Sequence, residues 1–220
     1  TKKEIQDLAK VLIRNKKVYI LSDDIYEHVR YDNFNFFTIA QLSKLKDRTL
    51  TMNGVSKSYA MTGWRIGYSA GPRDIIKAMS KIQGQATSCA NSIGQKASIE
   101  ALLGDQACVE DMKRAFKERR DLIVHLLNQI EGVTCRVPGG AFYVFPDFSY
   151  YLGMSSQDKL LKDTFDISEY ILDSAKVVTV PGDGFGSPGH IRFSYATSTE
   201  IIKKGIEKVE TALKKLKSKE

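Results

Sequence analysis

The chain has 220 residues, of which 42% are hydrophobic and 27% are charged, and its formal net charge is +7. This composition is ordinary for a globular protein with one large domain or two smaller ones. The longest apolar runs are far too short to cross a bilayer, and no charged-then-apolar leader opens the chain, so neither a membrane protein nor a secreted one is expected.

The first third of the chain alternates between helical and strand-like patterns. Residues 4–14 place their apolar side chains on one stripe, which predicts an amphipathic helix. Residues 18–21 form a short apolar run of the kind that is buried on both faces of a parallel sheet. Further strands are predicted at 49–52 and 66–70. This alternation predicts an α/β layer with a mostly parallel sheet.

The rest of the chain becomes helical and then mixed. Helical periodicity covers 74–83, 92–103 and 106–130. Beyond Gly132 the expected elements are strands at 133–137, 141–146, 176–180 and 190–195, a helix near 166–175, and a basic helix that closes the chain. Short strands with flanking helices indicate a separate small α+β domain, and we expect the boundary near residue 110.

The excess positive charge is concentrated near the C-terminus. The lysines concerned are Lys203, Lys204, Lys208, Lys214, Lys215, Lys217 and Lys219. They alternate at helical spacing with apolar residues, so we interpret them as the solvent face of a terminal helix. No aromatic residues lie among them, as a platform for single-stranded nucleic acid would require, so neither nucleic acid nor a membrane is expected as a partner.

The cysteines and histidines form neither a disulfide framework nor a metal-ligand cluster. They are widely spaced at Cys89, Cys108, Cys135, His28, His125 and His190. An odd and scattered set of cysteines indicates reduced thiols in the cytoplasm. We expect these six residues to serve in packing or to lie on the surface, and no metal is expected.

Polar and charged residues of chemical interest are grouped in three short stretches. Ser-Asp-Asp-Ile-Tyr-Glu occupies 22–27, Asn-Gly-Val-Ser-Lys begins a longer motif at 53–68 that includes Gly-Trp-Arg-Ile-Gly, and Arg-Phe-Ser-Tyr-Ala occupies 192–196. The first two stretches follow predicted strands. Because ligands bind outside the carboxyl ends of strands in open α/β sheets, we expect these two to converge on one pocket.

The order Asp-x-x-Tyr, Ser-Lys, Gly-Trp-Arg-x-Gly and Arg-x-Ser-Tyr-Ala resembles fold-type I aminotransferases of the aspartate aminotransferase family. The similarity extends over essentially the whole chain and includes Gly-Gly-Ala-Phe-Tyr at 139–143 and Pro-Gly at 181–182. The resemblance implies an α/β fold. Residues 1–110 would be the C-terminal part of the large domain that binds pyridoxal 5'-phosphate (PLP), and residues 111–220 the small C-terminal domain.

Three residues of the first unit would act on the reactive part of the cofactor. Lys57 resembles the lysine that holds PLP covalently and then serves as general base. Asp23 resembles the carboxylate that keeps the pyridinium nitrogen protonated, because an opposite charge favours the protonated ring. Tyr26 resembles the tyrosine that donates to the phenolic oxygen. The adjacent Asp24 is expected to be structural.

Three further residues would bind the anionic groups of cofactor and substrate. Arg65 resembles the arginine that pairs with the cofactor phosphate, and its planar fork suits phosphate oxygens. Ser56 resembles a second phosphate donor. Many family members carry a serine three residues before the lysine, where this chain has Gly54, so one phosphate donor is expected to be lost. Arg192 resembles the arginine that binds the substrate's α-carboxylate.

The resemblance implies transamination between an amino acid, expected to be aspartate, and a 2-oxo acid, expected to be 2-oxoglutarate, by a cytoplasmic homodimer. Aromatic or prephenate aminotransfer is an alternative. Another is the PLP-sensing, aminotransferase-like domain of a transcription regulator.

The family's glycine-rich phosphate turn, its stacking aromatic ring and its reader of the distal carboxylate find no match before Asp23. The chain also begins at Thr1 rather than Met. The hypothesis is therefore a truncated form of a longer enzyme, and we expect weak or no retention of PLP by these residues alone.

Overall fold

The computed structural model describes residues 1–156 and 159–217. The chain forms two compact units, Thr1–Lys113 and Arg114–Glu220. Helices and strands are mixed in both units, which confirms the predicted α/β class.

In the described residues the α-helices are α1 (Lys2–Arg14), α2 (Ser43–Lys46), α3 (Arg73–Ala86), α4 (Ser92–Leu103), α5 (Ala107–Leu127), α6 (Thr164–Ala175) and α7 (Thr199–Leu213). Helices α1, α4, α6 and α7 begin at side chains that cap their first turns. Thr1 and Glu4 form a reciprocal capping box at the start of α1, and Asn91 Oδ1 accepts from Gly94 N at 2.6 Å at the start of α4. Such caps satisfy amide groups that have no partner within the helix.

The first unit contains a three-stranded sheet. The strands of the described chain are β1 (Ile20–Asp23), β2 (Thr49–Gly54), β3 (Gly67–Ala70), β4 (Tyr143–Val144), β5 (Ser155–Ser156), β6 (Lys159–Leu160), β7 (Val180–Pro181) and β8 (Ile191–Ser194). The order in the first sheet is β1-β2-β3. The β1–β2 pairing is parallel with Asp23 opposite Met52, and the β2–β3 pairing is antiparallel with Gly54 opposite Gly67. The carboxyl ends of β1 and β2 therefore meet the start of β3 at one edge of the sheet.

The prediction that residues 18–21 are buried on both faces is wrong. Tyr19 is 69% exposed and Leu21 is 63% exposed, and β1 begins only at Ile20. The reason is the position of the strand: among the described residues, β1 is the outermost strand of its sheet and β2 is its one paired neighbour. The face of β1 that carries Ile20 is covered, because Ile20 packs against a cluster formed by Ala9 of α1 together with Ile39 and Leu45.

The second unit is built on a sheet of order β4-β8-β7, in which both pairings are antiparallel. Strand β8 alternates buried Ile191 and Phe193 with the half-buried Arg192 and the exposed Ser194. One face of the sheet therefore belongs to the core and the other carries polar side chains.

Three sequence expectations for the second unit need correction. The strand predicted at 176–180 overlaps β7 only at Val180, because Lys176 ends α6 in the left-handed conformation. The strand predicted at 133–137 is reduced to a single bridge between Thr134 and Asp147, because the residues around it find no continuous partner. The short β5–β6 pairing was not predicted, since each strand has only two residues and no periodicity can show in so short a segment.

The basic terminal helix has the predicted amphipathic character. Ile202, Ile206 and Val209 of α7 are buried, while Lys204 and Lys208 are exposed. Lys219 lies outside the described residues. No helix in the described part of the chain is long and apolar enough to cross a membrane.

The three cysteines are unpaired. Cys89 and Cys108 are exposed, whereas Cys135 is buried, and burial raises the pKa of the Cys135 thiol to about 11. Cys135 is therefore a protonated packing residue at neutral pH. No group of histidines, cysteines and carboxylates within the described ranges has a metal-binding arrangement.

Candidate functional site

The sheet edge of the first unit brings together the first two polar motifs. Asp23 is the last residue of β1. Gly54 and Gly67 form the pair at the adjoining end of the β2–β3 ladder. Lys57 follows Gly54 by three residues, and Arg65 precedes Gly67 by two. Since neighbouring strands lie about 5 Å apart, the register alone places the segments bearing the carboxylate, the amine and the guanidinium along one edge.

The connection from β2 to β3 is held in an unusual backbone conformation. Val55 and Ser58 anchor it in the interior. Ala60 and Arg65 both adopt the left-handed region, with φ of 53° and 55°. Non-glycine residues with positive φ carry a cost of order 1–3 kcal/mol and are concentrated at functional sites. The half-buried Lys57 lies within this constrained segment.

Arg65 presents most of its hydrogen-bond donors to solvent. Its Nη1 donates to the carbonyl of Thr62 at 2.8 Å, a local bond that orients the guanidinium. The residue is exposed, and it forms no ion pair with a carboxylate of the described chain. An exposed guanidinium whose charge is not paired with a carboxylate of the described chain is suited to bind a phosphate or carboxylate.

The two adjacent aspartates after β1 have different environments. Asp24 is only 8% exposed; its Oδ1 accepts from Ser22 Oγ at 2.8 Å and its amide donates to the carbonyl of Met52 at 2.9 Å. Asp23 is exposed at the strand end, where its Oδ1 accepts from Ile25 N at 3.3 Å. Asp24 is thus committed to local structure, while Asp23 is accessible to a ligand. Tyr26 is half-buried in the following turn.

Gly54 shows why a serine is absent three residues before Lys57. A Cβ atom at this position would lie 2.9 Å from the carbonyl oxygen of Ile66 and 3.2 Å from Gly67 Cα. Both neighbours are backbone atoms, which cannot rotate away. The close approach of the two strands therefore requires glycine at position 54.

We predict that Gly54→Ala lowers the free energy of unfolding of the first unit by about 1–3 kcal/mol, the usual cost of overpacking. Gly84→Ala is a matched control, because a Cβ there meets nothing within 4 Å and alanine favours the helix by about 1 kcal/mol. Urea unfolding can be followed by the fluorescence of the single tryptophan, Trp64, which lies in the first unit. A Gly54→Ala variant as stable as the parent would contradict the assigned close approach.

A second polar cluster near this edge was not predicted. Glu27 Oε1 accepts from Asn53 Nδ2 at 2.5 Å. Burial, together with Cys108 and Glu27, raises the pKa of Tyr59, whose hydroxyl donates to Gln106 Oε1 at 2.8 Å. Burial, Glu27 and Tyr59 likewise raise the pKa of Tyr68. Both phenols therefore remain hydrogen-bond donors in the neutral and mildly alkaline range. Both tyrosines lie within the motif at 53–68, but no role was predicted for either.

Arg192 belongs to the second unit. It lies on the polar face of β8, and its guanidinium carbon is 4.6 Å from the ring centroid of Tyr143 and 5.0 Å from that of Phe185. No carboxylate in the described part of the chain forms an ion pair with it. Arg192 is thus a second arginine suited to bind an anion.

The donor set of the first unit defines what ligand it fits. A half-buried amine suits a carbonyl group, an exposed carboxylate suits a protonated ring nitrogen, and a guanidinium suits a phosphate. Lys57, Asp23 and Arg65 supply these three groups along one edge. The residues present therefore fit a phosphorylated pyridine aldehyde.

Comparison with known proteins gives a consistent answer. The family model for aminotransferase class I and II matches residues 1–209. The chain is 49% identical over 215 residues to an aspartate aminotransferase of Rhizobium meliloti, covering 97% of this chain and 52% of that protein. It is 46% identical over 212 residues to an aspartate/prephenate aminotransferase of Cereibacter sphaeroides, covering 96% and 53%. The chain spans about half the length of the curated relatives it matches.

Solved structures agree with the sequence relatives. The crystal structure of the aspartate aminotransferase from Rhizobium meliloti superposes with a TM-score of 0.94 at 47% identity, covering 99% of this chain and 55% of that one. The resemblance to fold-type I aminotransferases that the motifs predicted is therefore confirmed, together with the fold class. The chain belongs to the family of class I and II aminotransferases.

Proposed function

We propose that the protein catalyses PLP-dependent transfer of an amino group from aspartate to 2-oxoglutarate. The observation that supports this most is the alignment of Lys57, Asp23 and Arg65 along one sheet edge in a chain of the aminotransferase family. The aspartate aminotransferase relatives support the choice of substrates.

Bound PLP supplies an electron sink that stabilises negative charge at the substrate's α-carbon. We propose that Lys57 holds the cofactor through its amine and, when released, removes the proton at the α-carbon.

The remaining roles in the first unit follow from charge and hydrogen bonding. Asp23 would keep the ring nitrogen protonated, and its exposed carboxylate is accessible for this purpose. Tyr26 would donate its hydroxyl proton to the phenolic oxygen. Arg65 would bind the phosphate through its exposed guanidinium, and the half-buried Ser56 would add a hydroxyl.

We propose that Arg192 binds the α-carboxylate of the substrate. The planar guanidinium matches a carboxylate bidentately, and its charge is not neutralised by a carboxylate of the described chain. This role is inferred from the surroundings of Arg192 within the second unit.

We further propose that residues 1–110 are the C-terminal part of a PLP-binding large domain and residues 111–220 a small domain. Homodimerisation is proposed from the family alone. A cytoplasmic location is proposed from the unpaired cysteines, which favour a reducing compartment.

Amino transfer by the full-length gene product, assayed with PLP and 2-oxoglutarate, tests the proposed function. We expect aspartate to be the preferred donor in a panel that includes phenylalanine and tyrosine. Prephenate should be included among the acceptors, because one relative is named an aspartate/prephenate aminotransferase. Absence of transfer from every donor at saturating PLP would refute the proposal, and a preference for prephenate would favour the second activity.

A further inference from the structure

Two aromatic rings contact Arg192, and no carboxylate of the described residues forms an ion pair with it. Tyr143 lies on β4, where it pairs with Ser194, two residues from Arg192 on β8. Residues two apart on a strand point to the same face, so Tyr143 is a diagonal neighbour of Arg192 across the ladder. The guanidinium carbon lies over the Tyr143 ring at 4.6 Å and over the Phe185 ring at 5.0 Å, within the range of cation–π contacts.

Phe185 is held in place although its side chain is 56% exposed. It ends the short helical turn Asp183–Phe185, whose first residue accepts the amide of Thr164 at 3.0 Å through Oδ2 and also bonds the Thr164 hydroxyl. The preceding Gly182 donates to the carbonyl of His190 at 2.8 Å. The Phe185 ring also meets Phe145 edge-on at 6.2 Å. Phe185 is thus an exposed phenylalanine on a turn whose first residues are hydrogen-bonded to the rest of the second unit, and it is placed to cover Arg192.

Aromatic support has a consequence that acidic support lacks. A ring contacts the flat face of a guanidinium. The N–H donors of the guanidinium point outward in its own plane, away from the ring. A supporting carboxylate would occupy those donors and neutralise the charge, and an incoming carboxylate would have to displace it. The rings restrict the side chain and leave the fork and the charge available.

We propose that Tyr143 and Phe185 are positioning residues that orient Arg192 to receive a planar carboxylate from solution. The inference rests on the proposed function in that the carboxylate is the α-carboxylate of an amino acid or 2-oxo acid. The contacts of Arg192 with the two rings do not depend on the proposed function. The positioning of Arg192 and the proposed function can therefore be tested separately.

The first experiment uses the 220-residue chain without cofactor. Ring currents from Tyr143 and Phe185 should displace the Nε–H resonance of Arg192, which is assigned by its disappearance in Arg192→Lys. We expect Phe185→Leu and Tyr143→Leu each to return this resonance toward its random-coil position. Tyr143→Phe keeps a ring and should leave it displaced. Phe165→Leu is a matched control, since Phe165 is also an exposed aromatic of the second unit. An Arg192 resonance unchanged by both leucine variants would overturn the proposal.

The second experiment measures kinetics in the full-length gene product. Phe185→Leu should raise KM for amino acids by roughly threefold to tenfold and change kcat little, while Tyr143→Phe should restore the parental KM in comparison with Tyr143→Leu. In an Arg192→Lys background the Phe185→Leu effect should disappear, because the ring acts through the guanidinium. An undiminished effect in that background would contradict positioning. If no variant and no parent shows transfer, the proposed function fails while the resonance experiment still decides the positioning.

Discussion

Replacing Lys57 by alanine is expected to abolish amino transfer, with a loss of about four orders of magnitude or more in kcat. One amine would serve two tasks, covalent attachment of the cofactor and proton transfer at the α-carbon, and proton transfer alone contributes about 10²–10⁴-fold. The loss should appear in kcat instead of KM, because Lys57 is not proposed to contact the carboxylates of the substrate. Lys57→Arg keeps a positive charge but provides no nucleophilic amine, so it should be equally inactive.

Two readouts separate loss of chemistry from loss of folding. Borohydride reduction in the presence of PLP should fix the cofactor to the peptide that contains Lys57 in the parent and leave that peptide unmodified in Lys57→Ala. Circular dichroism of the two proteins should coincide. Lys204→Ala is the matched control, because Lys204 is an exposed lysine of α7, and it should retain parental activity. Trapping of PLP on another lysine of the parent would move the attachment site away from Lys57.

The sequence predicted the elements of this fold well where periodicity extended over several turns. The stripes of α1, α5 and α7 lie where their apolar spacing placed them. Prediction failed for the run at 18–21, because burial of a strand depends on which strands pair beside it. Local hydrophobicity holds no information about such neighbours, and β1 lies at an edge.

Prediction of the site had a similar limit. The residue types of the motifs indicated an amine, a carboxylate and two arginines. The register of β1, β2 and β3 explains why the segments that carry Lys57, Asp23 and Arg65 meet at one end of the sheet. Three features depended on contacts between distant residues: the requirement for glycine at position 54, the proximity of Glu27 to Tyr59, and the contact of Arg192 with the Tyr143 ring. Each contact joins residues that are far apart in the chain. The pattern of residues along a single sequence does not show which distant positions touch.

Replacing Arg192 by leucine is expected to lower kcat/KM for amino acids and 2-oxo acids by about a hundredfold to ten-thousandfold. A bidentate guanidinium–carboxylate pair contributes two charge-assisted hydrogen bonds, each worth about 1.5–3 kcal/mol, and a tenfold change in rate corresponds to about 1.4 kcal/mol. Arg192→Lys keeps the charge without the fork, so an intermediate loss is expected. Stability should change little, because Arg192 lies on the polar face of β8 and not in the core.

Arg119→Leu offers a close control for this substitution. Arg119 is also a half-buried arginine of the second unit, and its guanidinium carbon lies 5.8 Å from the ring centroid of Phe116. A general effect of removing an arginine from an aromatic ring should appear in both variants, whereas loss of a carboxylate-binding group should appear only at position 192.

Comparing an amino acid with the corresponding amine that lacks the α-carboxylate sharpens the test. The Arg192→Leu penalty should vanish for the amine, since the parent gains nothing from a carboxylate that is not there. An equal penalty for both compounds would assign Arg192 to the structure of the second unit instead of to substrate binding.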